Sequence, residues 1–239
     1  MQFINYFSDV SNIYTKKECP HFCRFKPLNR TPIVGLPKPD DFWGVIISED
    51  PTTDFIGRYE EARKQPPDEW RRLLMSKDSP PSWLIQKMMA FNKKYWNGVN
   101  TNEITQLNGI IQHNFYWTHM LKCCTIKSKK LKAQPINERI SIPYTHAKGV
   151  TCADTWLSGE LSWAISQGSK CIVTLGKSPE IWSKRWFDGL PDKDGIRLFN
   201  LPHPSGANQA SWNPKTHDKR EKLSNNLLSL LEACGNKSS

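Results

Sequence analysis

The sequence predicts an α/β fold in which a central, four-stranded parallel sheet is flanked by helices. Two observations favour this fold. Four short apolar runs, rich in β-branched residues and bounded by turn residues, indicate buried strands. Helical patterns alternate with these runs, and that alternation implies parallel strands joined by right-handed crossovers. A chain of 239 residues is long enough for one sizeable core, so we expect a single domain over residues 1–239.

The predicted strands and helices follow one another along the chain. The strands are FWGVIIS (42–48), FYWTHMLKCC (115–124), KCIVTLGKS (170–178) and IRLFNLPHPSG (196–206), the last two with their exit turns included. Helical pieces are predicted within 57–97, separated by two Pro-Pro breaks, and at 102–114, about 151–167, 178–186 and 218–234. Residues 1–41 and the basic stretch 125–150 are predicted to be irregular.

The charge of the chain predicts a polyanionic partner. The formal net charge is +10, from 33 Lys and Arg against 23 Asp and Glu. Attraction to phosphates favours nucleic acid over a membrane surface, although an inert basic surface would have the same composition. Ten Trp residues permit base stacking, and most of them should lie in the core. No apolar stretch is long enough to span a membrane, and the start of the sequence lacks the pattern of a secretory signal, so we expect a cytoplasmic protein.

Polar residues follow each predicted strand. The exits are SEDPTTD (48–54), THMLKCC (118–124), TLGKS (174–178) and PHPSG (202–206). In parallel sheets, ligands bind beyond the carboxyl ends of the strands. We therefore expect these four exits to converge on one site.

The seven cysteines need an explanation other than disulfides, which are rare in the cytosol. Cys19 and Cys23 are close enough in sequence to place two thiolates on one ion or cluster. Cys171 lies in an apolar, strand-like run and is predicted to be a buried structural residue. Cys234 belongs to a polar tail and has no obvious partner in the sequence.

Together, the strand exits resemble motifs of the uracil-DNA glycosylase superfamily, and they are closest to its iron–sulfur members. Ser48-Glu49-Asp50-Pro51-Thr52 resembles the superfamily's Gly-Gln-Asp-Pro-Tyr water-activating loop and the Gly-Glu-x-Pro-Gly loop of the iron–sulfur members. His203-Pro204-Ser205-Gly206 matches the His-Pro-Ser loop that closes over the flipped base. FIGR (55–58), WTHMLKC (117–123) and KCIVTLG (170–176) resemble three further segments, so the resemblance spans roughly residues 19–212 in the family's order.

The resemblance implies a uracil-DNA-glycosylase-like fold and a DNA glycosylase, which flips a base out of DNA and hydrolyses its N-glycosidic bond to leave an abasic site. Asp50 is the expected catalytic carboxylate, because a carboxylate beneath the sugar stabilises an oxocarbenium-like cation and can orient or deprotonate water. His203 is the second expected catalytic residue, since it can donate a hydrogen bond to the charge that develops on the departing base.

The resemblance also implies contacts to the base and to the DNA strand. Ser205, Gly206 and nearby amides would hold phosphate, and a polar wedge such as Asn208 or Gln209 would fill the hole left in the duplex. Phe55 would stack on the base, although ordinary core packing explains it equally well. The expected base-binding residues are Glu49, Thr52, Phe55 and His119, and the expected DNA-binding residues are Ser205, Gly206, Asn208, Gln209 and Lys177.

The iron–sulfur members of the superfamily also suggest a cofactor. Cys19, Cys23, Cys123 and Cys152 correspond to their four cluster ligands, which implies a structural 4Fe-4S cluster. The first pair is separated by three residues rather than the usual two, and Cys124 competes with Cys123 for the third place. Zinc bound by four thiolates is the alternative.

Two departures from the family predict a different substrate. His119 stands where uracil-specific members have Asn, and Thr52 stands where a Tyr blocks substituents at C5 of the ring. We therefore predict that the enzyme acts on a modified pyrimidine, such as the hydroxymethylated or glucosylated cytosine of phage DNA, and serves in antiviral defence because abasic sites block replication. A helical insertion at 58–114 would shape a pocket for the bulky base.

Two other functions are alternatives to this prediction, and a third is disfavoured. The first alternative is a uracil-DNA glycosylase of base excision repair, in which His119 reads uracil by another geometry. The second is a non-catalytic DNA-binding protein on the same scaffold, against which Asp50 and His203 argue. A zinc-dependent nuclease is disfavoured, because no His and Asp cluster has the spacing of an open metal site. We expect DNA as the partner, no membrane association and a monomer.

Overall fold

A computed structural model describes residues 26–27, 43–49, 65–66, 80–95, 101–121, 125–126, 153–205 and 208–235. At its centre is a four-stranded, all-parallel sheet flanked by helices, which confirms the predicted α/β fold. Its strands lie side by side in the order β3, β2, β5, β6. They are β2 (Gly44–Ser48), β3 (Phe115–His119), β5 (Cys171–Leu175) and β6 (Arg197–Leu201).

The register of the sheet is fixed by a close approach at its amino end. Gly44 of β2 lies opposite both Phe115 of β3 and Cys171 of β5. A Cβ atom on Gly44 would lie 2.5 Å from the Cys171 carbonyl oxygen and 2.6 Å from Cε1 of Phe115. Only glycine fits this place, since any side chain would push the neighbouring strands apart. The same register sets Ser48 opposite His119 at the carboxyl end.

Three helices cover the first face of the sheet. α1 (Pro80–Tyr95) and α2 (Thr101–Asn114) lie between β2 and β3 in the chain, and α6 (His217–Gly235) is the last described element. α1 starts at the second predicted Pro-Pro break, because proline is accommodated in the first turn of a helix. Buried residues on this face include Ile46, Phe91, Leu107, Trp117 and Phe199.

The second face is covered by the helices of the other two crossovers. A π-helical turn (Ala153–Leu157) leads into α3 (Ser158–Ser166), and α4 (Lys177–Asp188) follows β5. Asp154 Oδ1 accepts hydrogen bonds from Trp182 Nε1 and Arg185 Nη2, both at 2.9 Å, and so ties the π-helical turn to α4. With both faces covered, the strands β2, β3 and β5 are buried along their whole length, which explains why their mainly apolar runs were recognisable in the sequence.

A small antiparallel ladder joins two segments that the sequence predicted to be irregular. β1 (Lys26–Pro27) pairs with β4 (Thr125–Ile126), with Lys26 opposite Ile126 and Pro27 opposite Thr125. The prediction is wrong at these four residues. Two-residue strands carry no alternating pattern from which they could be recognised.

The carboxyl-terminal helix corrects the prediction for Cys234, whose side chain is 1% exposed. It extends the buried stripe of α6, which consists of Leu223, Leu227, Leu230 and Cys234. A hydrogen bond with Cys171 and burial both raise the pKa of the Cys234 thiol, so Cys234 remains a protonated thiol. Neither α6, with 19 residues, nor any other helix in the described part of the chain combines the length and apolar character needed to cross a membrane.

Candidate active site

The strand order reverses its direction between β2 and β5, which is where a ligand is expected in an open α/β sheet. From β2 the chain crosses to β3 on one side, and it then returns past β2 to β5 and β6 on the other side. Ligands in open α/β sheets bind beyond the carboxyl ends of the strands where this direction reverses. The residues that follow β2 and β5 there are Glu49 and Gly176.

Backbone pairing fixes the exit of β2 beyond the end of the strand. Met120 N donates to Ser48 O, and Leu121 N donates to Glu49 O, each at 2.8 Å. Glu49, which is half-buried, is therefore held against the exit of β3. Asp50 is the next residue, and it lies outside the described residues together with Thr52 and Phe55.

The exit of β3 contains two buried polar side chains. His119 is 2% exposed and lies opposite Ser48, and its neighbour Thr118 is fully buried. Thr118 Oγ1 donates a hydrogen bond of 2.7 Å to Oε2 of Glu160, a carboxylate of α3 that is only 2% exposed. A buried carboxylate is tolerated only where donors compensate its lost hydration. Glu160 therefore links α3 to the carboxyl end of β3, next to His119.

The exits of β5 and β6 are packed directly against each other. Gly176 has φ +91°, in the left-handed region, and a Cβ atom there would lie 3.3 Å from Cβ of His203. Gly176 N also donates to Leu201 O at 2.8 Å. On the far side, Trp212 Nε1 donates to the carbonyl of His203 at 3.2 Å. Trp212 belongs to the short helix α5 (Gln209–Trp212). His203, in the exit of β6, is therefore held between the exit of β5 and this helix.

The hydrogen bonding of His203 defines its tautomer. Nδ1 lies 3.2 Å from the backbone nitrogen of Ser205, whose N–H donates to it. A ring nitrogen that accepts a hydrogen bond carries no proton, so the neutral imidazole has its N–H at Nε2. The loop thus presents His203 as a hydrogen-bond donor through Nε2.

Five of the predicted site residues lie at the carboxyl edge of the sheet. They are Glu49, His119, Lys177, His203 and Ser205. Asn208 is joined to this group through its N–H, which donates to Ser205 O at 3.0 Å, and through Nδ2, which lies 3.4 Å from Ser205 Oγ.

The remaining predicted DNA-binding residues differ in their surroundings. Gln209 is exposed at the first position of α5, and Gly206 lies outside the described residues. Lys177 is exposed and forms an ion pair of 3.1 Å with Glu180 within α4, which compensates part of its charge.

Three residues of this edge were missed by the sequence analysis, namely Glu160, Gly176 and Trp212. Glu160 lies within an ordinary helical pattern, and only the structure brings it next to Thr118. Trp212 lies in a helix of four residues, too short for a periodic signal. Gly176 was placed in a turn, and its contact with His203 depends on the parallel pairing of β5 and β6.

The four predicted cluster ligands, Cys19, Cys23, Cys123 and Cys152, lie outside the described residues, as does Cys124. Within the described part of the chain, no group of three or more His, Cys, Asp or Glu side chains is arranged to hold a metal ion.

The chain neighbours of three of these cysteines nevertheless converge. β1 begins three residues after Cys23 and pairs with β4, which begins one residue after Cys124. Leu121, two residues before Cys123, and Ala153, next to Cys152, belong to one buried cluster.

Comparisons with known proteins add no family to this description: no protein-family model matches the chain, and a search of curated proteins finds no similar sequence.

Proposed function

We propose that this protein is a DNA glycosylase with a uracil-DNA-glycosylase-like fold, which removes a modified pyrimidine from DNA and leaves an abasic site. The observation that carries the proposal is the hydrogen bond from Ser205 N to Nδ1 of His203 at 3.2 Å. It leaves Nε2 as the N–H donor of a neutral imidazole at the edge of the sheet where ligands bind. Glu49, which immediately precedes the candidate catalytic carboxylate Asp50, is anchored at the same edge.

In the proposed reaction, His203 acts on the departing base and Asp50 acts on the sugar. The bond between C1′ of the sugar and the ring nitrogen of the base breaks, and its electron pair leaves with the base. His203 donates its Nε2–H hydrogen bond to the charge that develops on the base oxygen. The carboxylate of Asp50 stabilises the oxocarbenium-like sugar and accepts a proton from the water whose oxygen bonds to C1′.

The surroundings of His119 support a base pocket that differs from that of a uracil enzyme. His119 is 2% exposed at the end of β3, opposite Ser48 and within two residues of the anchored Leu121. Its neutral ring has one donor and one acceptor nitrogen on opposite sides of a planar ring, whereas the Asn amide of the uracil-specific members has its carbonyl acceptor and its NH2 donors on one carbon, so the two side chains match different base edges. With Thr52 in place of the larger Tyr of the uracil enzymes, the pocket would accept a substituent at C5 of the ring. We propose hydroxymethylated or glucosylated cytosine in phage DNA as the substrate class, and antiviral defence as the role.

The experiment that tests this function is base release from a panel of duplex and single-stranded DNAs. The panel contains uracil, thymine mismatches, hydroxymethylcytosine and glucosylated hydroxymethylcytosine, and alkali cleavage detects the abasic sites. Release of a modified cytosine but not of uracil is expected. Release of uracil alone would make the protein a repair enzyme and contradict the substrate class. If no base were released while DNA binding persisted, the protein would be a non-catalytic binder and the proposed activity would be refuted.

We also propose that Cys19, Cys23, Cys123 and Cys152 hold a 4Fe-4S cluster. The pairing of β1 with β4 supports this, because it connects the segment after Cys23 to the segment after Cys123. The shared cluster of Leu121 and Ala153 supports a short distance between the other two segments. Bound there, the cluster would act as a structural cross-link between these segments.

A metal and sulfide analysis of anaerobically purified protein tests this ligand set. Wild-type protein is expected to contain about four iron atoms per chain with matching sulfide, and Cys152→Ala should lose both. The matched control is Cys124→Ala, which removes a neighbouring thiol outside the proposed set and should retain the iron. One zinc ion per chain in place of iron would contradict the iron–sulfur assignment. Loss of iron in Cys124→Ala would contradict the choice of Cys123.

A further inference from the structure

Two positive side chains meet at one aromatic ring on the surface formed by α1 and α6. Lys94 Nζ lies 5.1 Å from the centroid of the Tyr95 ring, and the Arg220 guanidinium lies 5.5 Å from the same centroid. Cation–π contacts of this kind favour each charge modestly, but they do not neutralise it. Two like charges held at one ring repel each other, which favours an anion that lies against both.

Within the described residues, the other hydrogen-bond partners of these two cations are neutral. Lys94 Nζ donates to Oδ1 of Asn213 at 2.7 Å, and the Tyr95 hydroxyl donates to the same oxygen. Arg220 donates to the backbone carbonyls of Thr216 and Lys215. Among the described carboxylates, none lies within ion-pair distance of Lys94 or Arg220.

Further basic residues surround this pair and enlarge its field. Lys93 is exposed in the last turn of α1, and Lys215 and Lys219 are exposed on either side of the start of α6. We call the set of Lys93, Lys94, Tyr95, Lys215, Lys219 and Arg220 the basic shoulder. Two acidic residues, Asp218 and Glu221, lie in the same stretch of chain. Oε2 of Glu221 lies 3.7 Å from Nδ1 of His217.

The opposite face of the sheet provides a contrast. On α4, Lys177 is paired with Glu180 at 3.1 Å, and Arg185 is paired with Asp154 at 2.9 Å. Two of the three basic side chains of α4 are therefore ion-paired, whereas Lys94 and Arg220 form no ion pair with a carboxylate of the described residues. An uncompensated cluster of this size attracts a polyanion, whose bound counterions are released on contact.

Trp212 and Asn213, which are adjacent in the chain, connect the candidate active site to the basic shoulder. Trp212 donates to the His203 carbonyl at 3.2 Å, and the next residue, Asn213, accepts the hydrogen bonds of Lys94 and Tyr95. A chain of contacts thus runs from the His203 loop to the two cations.

We propose that the basic shoulder binds the phosphate backbone of the DNA strand that leaves the base site beside His203. The inference deepens the proposed function, on which it rests for the identity of the polyanion as DNA. It adds Lys94 and Arg220 to the DNA-binding residues, none of which was expected on α1 or α6. These contacts position the strand and carry no sequence information, because they involve phosphate alone.

The test is the salt dependence of binding to a short, fluorescein-labelled duplex of unmodified bases, measured by fluorescence anisotropy over a range of NaCl concentrations. The variant is Lys94→Gln with Arg220→Gln, which keeps polar side chains of similar length. The matched control is Lys184→Gln with Lys193→Gln, which removes the same charge on and after α4. Lys94→Arg, which keeps the charge, serves as a second variant. Thermal unfolding of all four proteins, wild type included, verifies that they fold.

The slope of log K against log [NaCl] is negative, and each lost phosphate contact makes it shallower by about 1. The slope of the shoulder variant should therefore be shallower than that of wild type by about 2. We expect its affinity to fall at least about ten-fold at moderate salt, while the control and Lys94→Arg stay close to wild type. An equal loss of affinity in the shoulder variant and in the control would overturn the inference, because the loss of any two positive charges would then explain the weaker binding.

The base-release panel distinguishes this result from a failure of the proposed function. If the protein releases a base from the panel while the shoulder variant binds DNA like wild type, only the proposed binding of DNA by the basic shoulder is refuted. If no base is released but the slope changes as expected, the protein binds DNA along the basic shoulder and the glycosylase activity is refuted.

Discussion

Replacement of His203 by Ala is expected to lower the rate constant of base release by about 10² to 10³. That range is the effect of removing one preorganised donor from a developing negative charge. The structure favours the upper part of it, because the donor is held on three sides. Ser205 N fixes the tautomer, Gly176 packs against the Cβ atom, and Trp212 binds the backbone carbonyl. Little reorganisation is then needed when charge develops on the base.

The effect should appear in the single-turnover rate and not in the affinity for DNA. His203 would donate to a charge that exists only as the bond breaks, so its loss removes stabilisation of the transition state alone. The matched control is His217→Ala, since the His217 side chain is 82% exposed in the first turn of α6 and its ion-pair partner among the described residues is Glu221, at 3.7 Å. An unchanged rate in His203→Ala, or an equal loss in His217→Ala, would contradict the assignment.

The fold was predictable because its signals are local and repeated. Three strands of the main sheet, β2, β3 and β5, are buried at every position, so they appear in the sequence as mainly apolar runs. The alternation of these runs with helices then determines a parallel sheet, and the parallel sheet determines which loops meet. The convergence of Glu49, His119 and His203 at one edge follows from this logic without any knowledge of their side-chain contacts.

What was not predictable depends on contacts between distant segments. Cys234 was assigned to a polar tail from its immediate neighbours, whereas its burial arises from a helical stripe that starts eleven residues earlier at Leu223. The pairing of Lys94 and Arg220 at Tyr95 requires the last turn of α1 to meet the first turn of α6 on the same face of the sheet. No local pattern contains that information, because the two residues are more than a hundred positions apart.

Asp50→Asn should have the largest effect of any single change on base release, a loss of about 10³ or more in the single-turnover rate. The substitution removes the negative charge that would stabilise the oxocarbenium-like sugar and also the base that would accept a proton from water. Because Asn has nearly the same size and shape, the loop can keep its conformation. Binding of unmodified DNA should be retained or slightly strengthened, since a negative charge near the phosphates is lost.

The neighbouring carboxylate provides the matched control for this prediction. Glu49 precedes Asp50 directly and is anchored by the hydrogen bond from Leu121 N to its carbonyl, so Glu49→Gln removes the same charge one position away. We expect Glu49→Gln to change base preference or substrate affinity more than the rate of bond cleavage. If the two variants lost activity equally, the effect would come from charge near the site and not from a carboxylate beneath the sugar. If Asp50→Asn remained fully active, the resemblance of this loop to a water-activating loop would carry no chemistry. A large loss in Asp50→Asn with a smaller one in Glu49→Gln would instead mean that the strand β2 ends where it does in order to hold one specific carboxylate against the sugar.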